Sequence, residues 1–350
     1  MESVRGIVPP DEQWRLRARQ RLDTLTKPPG SLGRLEDLAV QLVAIRQNHL
    51  ELPLTNAVYV FAADHGITAE GVSAYPSAVT HQMMLNFVAE GAAINVLARL
   101  HRVTLYVVDV GVDADFNEMP GLLHRKVCRG TKNMLHDAAM TDDQLSLALR
   151  IGVQLAQDAA DTGCTLLAIG EMGIGNTTSA SAITCALTGS SASLATGRGT
   201  GLDDAAHAHK IATIEAILTK HFAAQTSPSP LEVLRCVGGV EIAAMTGMIL
   251  AAARLRLAIV IDGFIATSAA ALAVALEPMV QGFLIAGHRS EEPGHQLLLD
   301  ALALSPILNL QMRLGEGSGA VLAVPIIESA IALYSQMATF ATAGVSEASA

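Results

Sequence analysis

Leu166-Leu-Ala-Ile-Gly-Glu-Met-Gly-Ile-Gly-Asn-Thr-Thr178 begins as an apolar strand, passes through a glycine-rich turn and leads into an uncharged Ala- and Ser-rich stretch from Ser179. Four further segments, 58–66, 103–111, 258–263 and 283–288, share its grammar: an apolar, β-rich run that stops at polar or glycine residues. Continuous apolar runs separated by long helical segments mark the strands of a parallel sheet covered on both faces. The fold class is therefore α/β. In open sheets of this kind ligands bind outside the carboxyl ends of the strands, which makes Asp64, His65, Asp109, Glu171, Asp262 and His288 candidates by position.

Composition limits the partners. The chain has 350 residues, 51% hydrophobic and 16% charged, which excludes disorder and leaves ample material for a large core. A net charge of −10 and a pI near 5.5 give no long-range attraction for nucleic acid or an anionic membrane, so neither is expected as a partner. An anionic ligand must be held by local groups. The opening Met1-Glu-Ser-Val-Arg5 lacks the basic stretch and apolar run of a secretory signal, and a cytoplasmic location is expected. The longest charge-free apolar stretches, 263–276 and 329–345, fall short of the roughly 20 residues of a bilayer-spanning helix and read as buried helices. Cys128, Cys164, Cys185 and Cys236 lack the spacing of a zinc or disulfide framework and read as small core residues.

The two ends of the chain look different from its middle. Residues 11–26 form a charged helical segment with the only tryptophan, Trp14, and stop at Lys27-Pro-Pro-Gly30. A second helix starts near Ser31, with Leu32, Leu35, Leu38, Leu42 and Ile45 at helical spacing, and the pattern after residue 295 is again helical. Segments 1–40 and 296–350 are expected to meet in a small helical domain beside a large α/β domain, 41–295, that carries the site. The clearest internal loop is Thr226-Ser-Pro-Ser-Pro230.

Glycines at a strand-to-helix turn let backbone amides approach an anion, with Asn176 or Thr177 placed to cap the helix whose positive end faces it. Gly173-x-Gly175-x-x-Thr178 matches the dinucleotide fingerprint only in part, and a Walker Lys-Ser/Thr pair is missing. The same residues also suit a tight turn with no ligand. Lys210 and Arg313 can supply positive charge, or can be ordinary surface cations. Glu316 stands between Gly315 and Gly317 in apolar sequence; buried, it would be a base near neutral pH, and otherwise an acid at a helix N-terminus. Tyr75, Pro76 and Met83 suit a flat apolar ring as well as a core. His207 and His209 point to opposite sides of a helix and make a poor metal pair.

Six segments then stand together: Lys27-Pro-Pro-Gly-Ser-Leu-Gly-Arg-Leu-Glu36, Ala63-Asp-His-Gly66, Gly170 to Thr178, Val237-Gly-Gly-Val-Glu-Ile-Ala243, Asp262-Gly-Phe264 and Met312-Arg-Leu-Gly-Glu-Gly-Ser-Gly-Ala320. In this order the chain resembles the nicotinate-nucleotide:dimethylbenzimidazole phosphoribosyltransferase family over nearly its whole length. The resemblance implies transfer of phosphoribose from nicotinate mononucleotide to 5,6-dimethylbenzimidazole, a step in cobalamin biosynthesis, by a homodimer with a Rossmann-like sheet. It implies no metal and no redox cofactor. Glu316 matches the family's general base and Glu171 a second carboxylate. Gly173, Lys210, Ser290 and Arg313 match positions near the nucleotide phosphate. Gly175, Asn176, Thr177 and Gly315 complete the substrate loops, and Tyr75, Met83 and Met172 match the benzimidazole pocket.

Two other readings are separable from this one. A dinucleotide-dependent oxidoreductase needs an acidic ribose-binding residue about 20 residues past the glycine turn, and no charged residue occurs between Met172 and Gly197. A nucleotide sensor would keep the cradle without catalysis, and the intact Gly-Glu-Gly-Ser-Gly loop speaks against it.

Overall fold

The computed structural model describes residues 6–47, 50, 52–199, 201–225 and 227–346. The first five residues, Thr226 and the last four residues of the segment 296–350 lie outside them. Six parallel strands form the main sheet: β1 (Asn56–Ala63), β2 (Thr104–Gly111), β3 (Leu122–His124), β4 (Leu166–Met172), β5 (Ala258–Ile261) and β6 (Leu284–Ala286). Their order, β3-β2-β1-β4-β5-β6, reverses between β1 and β4, as in a doubly wound Rossmann-type sheet. All five segments read from sequence are strands. The α/β expectation holds.

Every residue of β1 and β5 is buried, which explains why these strands show no polar alternation. The helices Asp142–Asp161 and Val240–Arg254 cover one side in close contact. A Cβ at Gly152 would fall 1.8 Å from the Ala244 carbonyl oxygen, so the two backbones touch where glycine allows it. Cys164, Cys185 and Cys236 are buried and Cys128 is half-buried; none is bonded to another.

The short strands β7 (His288–Ser290) and β8 (Leu308–Met312) pair in parallel as a separate two-stranded sheet beyond β6. They carry the chain from the main sheet to the loop 313–317 and the helix Ser318–Gln336. That helix packs against Arg34–Arg46, and the N-terminal helix Glu12–Thr24 is tied to the chain's end: Arg21 donates to the carbonyls of Tyr334 and Ser335, at 2.8 and 3.1 Å. In the motif Lys27 to Glu36 the two end residues form an ion pair of 2.9 Å, which fixes the turn between the first two helices.

Two apolar expectations need correction. The stretch 329–345 is not one helix, because the helical run ends at Gln336 and Met337 leaves it with extended backbone. Read from Ser318, that helix has the length and apolarity to cross a membrane, as has the stretch Ala78–Leu100, although the latter is broken at 89–92 into two helices. Over half of Ser318–Gln336 is buried inside the fold, as for a core helix.

Candidate active site

A cavity of about 590 Å³ opens at the carboxyl ends of β4 and β5, bounded by the segment after β1, by β7 with the residues up to Glu292, and by the loop 313–316. This is the crevice beside the strand reversal, where the topology places ligands. Glu171, Met172, Gly173, Asn176 and Thr177 line it from the glycine turn, and Arg313, Gly315 and Glu316 from the opposite loop. Tyr75 and Met83 come from the segment after β1, and Ser290 from β7. Lys210 stands behind this wall, with its ammonium donating to Thr177 Oγ1 at 2.8 Å. Gly175 lines nothing; its role is to turn the chain, at φ 96°.

The turn works differently from the sequence expectation. Gly175 is the N-cap and accepts no side-chain cap; Asn176 is the first helical residue, and its amide donates to the Glu171 carboxylate instead. Several amides of the turn are already committed. Ile174 donates to Thr80 Oγ1, Asn176 to the Gly173 carbonyl and Thr178 to the Gly175 carbonyl, at 3.0 to 3.2 Å. The polar and cationic side chains beside the turn are Thr177, Lys210 and Arg313, whose guanidinium is steered by a 2.9 Å bond to the Gly199 carbonyl. Burial pushes Lys210 down to about 8, against the pull of Glu292.

Glu171 and Glu316 both face the cavity, and burial raises the pKa of each. Burial pushes Glu171 up to about 8, helped by the charge of Asp262 and opposed by the Asn176 amide, so its carboxyl is largely neutral at pH 7. Glu316 is 5% exposed and adopts φ 63°, between Gly315 at 85° and Gly317 at 80°. Three successive left-handed residues project its side chain out of the path of the following helix. Its amide donates to the Glu171 carbonyl at 3.2 Å. Its Oε2 is buried without a partner, and the Ile94 amide favours the charged carboxylate. Burial raises its pKa, with Asp262 acting in the same direction.

The other positional candidates divide. His288 lines the cavity, and Asp262, which does not, lies 3.6 Å from His288 Nδ1. Asp64, His65 and Asp109 do not line it. Asp64 accepts the Asp113 amide at 2.8 Å, and Asp109 accepts Val112 and pairs with Lys126 at 2.9 Å. His65 is clamped between Ser179 Oγ at 3.1 Å and Glu241 Oε1 at 2.6 Å, fully enclosed, so it supports the turn rather than orienting a substrate. Burial alone would lower its pKa, but the Glu241 carboxylate outweighs this and raises it. His207 and His209 bond to the carbonyls of Thr196 and Glu70, in different directions.

Sequence reasoning missed Glu292, Phe264 and Ile265 on the cavity wall. Glu292 is buried with Oε2 unpartnered, although Ser-Glu-Glu-Pro looks like an exposed helix start. The one signal was its place two residues after a candidate phosphate position. Phe264 and Ile265 follow directly on Asp262-Gly263, where the rule for strand ends would have reached them.

A phosphoribosyltransferase family model matches residues 7–345. The chain is 49% identical to the nicotinate-nucleotide–dimethylbenzimidazole phosphoribosyltransferase of Chloroflexus aggregans, covering 99% of this chain and 98% of that one. It is 47% identical to the enzyme of the same name from Geobacter sulfurreducens, again over 99% and 98%. Among solved structures, CobT from Thermus thermophilus superposes with a TM-score of 0.92 at 45% identity, covering 96% of this chain and all of that one. With the fold, the order of motifs and near full-length identity in agreement, the chain belongs to the nicotinate-nucleotide–dimethylbenzimidazole phosphoribosyltransferase family.

Proposed function

We propose that this protein transfers the 5-phosphoribosyl group of nicotinate mononucleotide to 5,6-dimethylbenzimidazole, releasing nicotinate and α-ribazole 5′-phosphate, with Glu316 as general base. The carrying observation is the bare, buried Oε2 of Glu316 on the cavity wall. An azole nitrogen attacks C1′ while the bond from C1′ to the pyridinium nitrogen breaks. The bonding pair returns to the pyridine ring, which leaves neutral and needs no general acid. Attack opposite the leaving group inverts C1′ from β to α. Positive charge grows on the azole, its remaining N–H becomes acidic, and Glu316 takes that proton. Glu171, neutral at pH 7 in the free site, is suited to orient the ribose rather than to accept the proton. Thr177, Lys210, Ser290 and Arg313 hold the phosphate, with Gly173, Gly175, Asn176 and Gly315 shaping the loops around it. Their contribution is orientation. Tyr75, Met83 and Met172 form the apolar end for the benzimidazole.

The same reading places the protein in the cytoplasm as a homodimer, supported by the exposed Leu85, Val96 and Leu100 on the helices after β1. It also treats 1–40 and 296–350 as one unit, helical except for the strand β8, that delivers Glu316 to the sheet edge of the 41–295 domain. The test is Glu316→Gln: nicotinate release falls about 10²- to 10⁴-fold while mononucleotide affinity stays near wild type. Unchanged turnover in that variant removes the assigned role.

A further inference from the structure

Asp262, at the end of β5, is buried at 1% exposure and touches the helix that follows the base. Its Oδ1 accepts the amides of Gly319 and Ala320 at 2.7 and 3.0 Å, and its Oδ2 accepts that of Gly317 at 3.1 Å. These donors belong to the first turn of Ser318–Gln336, whose own N-cap, Gly317, has no side chain to serve them. A carboxylate from another strand thus does the capping, with the helix dipole favouring its charge. The bond to Gly317 also fixes the residue directly after Glu316, in the stretch where a non-glycine residue sits at positive φ. Left-handed backbone of this kind persists only where its surroundings over-determine it.

We infer that Asp262 is a positioning residue for the base: without touching substrate, its carboxylate pins the loop 315–317 to the sheet edge and aims Glu316 into the cavity. The inference rests on Glu316 being the base. Asp262 acts on Glu316 electrostatically as well, because its nearby negative charge favours the protonated carboxyl. The other groups facing this corner are Glu171 from β4, with Glu241 beyond it, His288 and His295 behind Asp262, and Arg313 on the rim.

The test is Asp262→Asn, with Asp262→Ser as a second variant, each assayed for nicotinate release from nicotinate mononucleotide across pH, alongside Glu316→Gln. Asn keeps acceptance at one oxygen but presents an NH₂ to the Gly317 amide and removes the charge. A misplacement of the base near 1 Å lowers kcat about 10²-fold, with KM for the mononucleotide within about threefold of wild type. Loss of the neighbouring charge moves the acid limb of kcat/KM to lower pH, a shift that a purely structural role does not produce. Folded variants with wild-type kcat overturn the inference. So does a loss of kcat with an unmoved acid limb, or failure of both variants to fold. Wild-type turnover in Glu316→Gln instead defeats the reading of the base on which this one stands.

Discussion

Gly170→Ala isolates the geometry of the base from the chemistry of any charged group. A Cβ at Gly170 would lie 2.1 Å from Gly317 N, 2.4 Å from Gly317 Cα and 2.6 Å from the Glu316 carbonyl carbon. Ordinary contact begins at 3.4 Å, so the closest approach falls short by about 1.3 Å, and every atom met is backbone. The strand is poorly placed to yield: β4 is central, with Gly170 opposite Val60 of β1 and Ile169 opposite Ile261 of β5. The loop 315–317 must move instead, and Glu316 moves with it. A displacement near 1 Å lowers kcat about 10²-fold, equivalent to roughly 2.7 kcal/mol of transition-state stabilisation. Overpacking costs about 1–3 kcal/mol of stability in addition. The assay is steady-state nicotinate release with both substrates varied, paired with a thermal melt. KM for the mononucleotide should change little, because Thr177, Lys210 and Ser290 sit on other elements and Arg313 is tethered to the Gly199 carbonyl. A folded Gly170→Ala enzyme with kcat within about threefold of wild type refutes this account of how the base is held.

Lys210 loses its charge as pH rises through about 8, so kcat/KM for the mononucleotide should fall about tenfold per unit above that point; Lys210→Met should abolish this limb, measured as nicotinate release from pH 6 to 10. Glu171 has a folded pKa near 8 against the ordinary 4.5, so the native state holds a proton that the unfolded chain has released between these values, and stability declines as pH rises through that window. Glu171→Gln should therefore melt at higher temperature than wild type at pH 8 and at nearly the same temperature at pH 4.5; equal melting points at pH 8 contradict it. His65→Ala leaves Glu241, at 0% exposure, without its partner and should cost about 3–5 kcal/mol in chemical denaturation. A cost below about 1 kcal/mol would mean that the pair does not carry charge in the native state.

What the sequence disclosed, and what it hid, follows from the range of the interactions involved. The strands at 58–63, 104–111, 166–172, 258–261 and 284–286 were legible because strands buried on both faces are uniformly apolar, a local property. β3, β7 and β8 were not: two have three residues, and β8 is largely exposed, so none produces a pattern distinct from loop. The same division governs the site. Glu171 and Glu316 announced themselves through neighbouring glycines, since a left-handed or close-packed backbone leaves its mark on adjacent residues. His65 misled because its partner Glu241 lies 176 positions away, and a histidine at a strand end looks the same locally whether it meets substrate or a buried carboxylate. Asp262 was visible as a candidate but not in its role, because the amides it serves begin 55 positions later. The burial that turns Glu171 into a neutral acid and Lys210 into a weak cation likewise comes from packing between distant elements, the cause named first for both shifts. A catalytic residue is thus marked by the backbone it needs, whereas the residues that set its position and proton affinity are marked only by the fold.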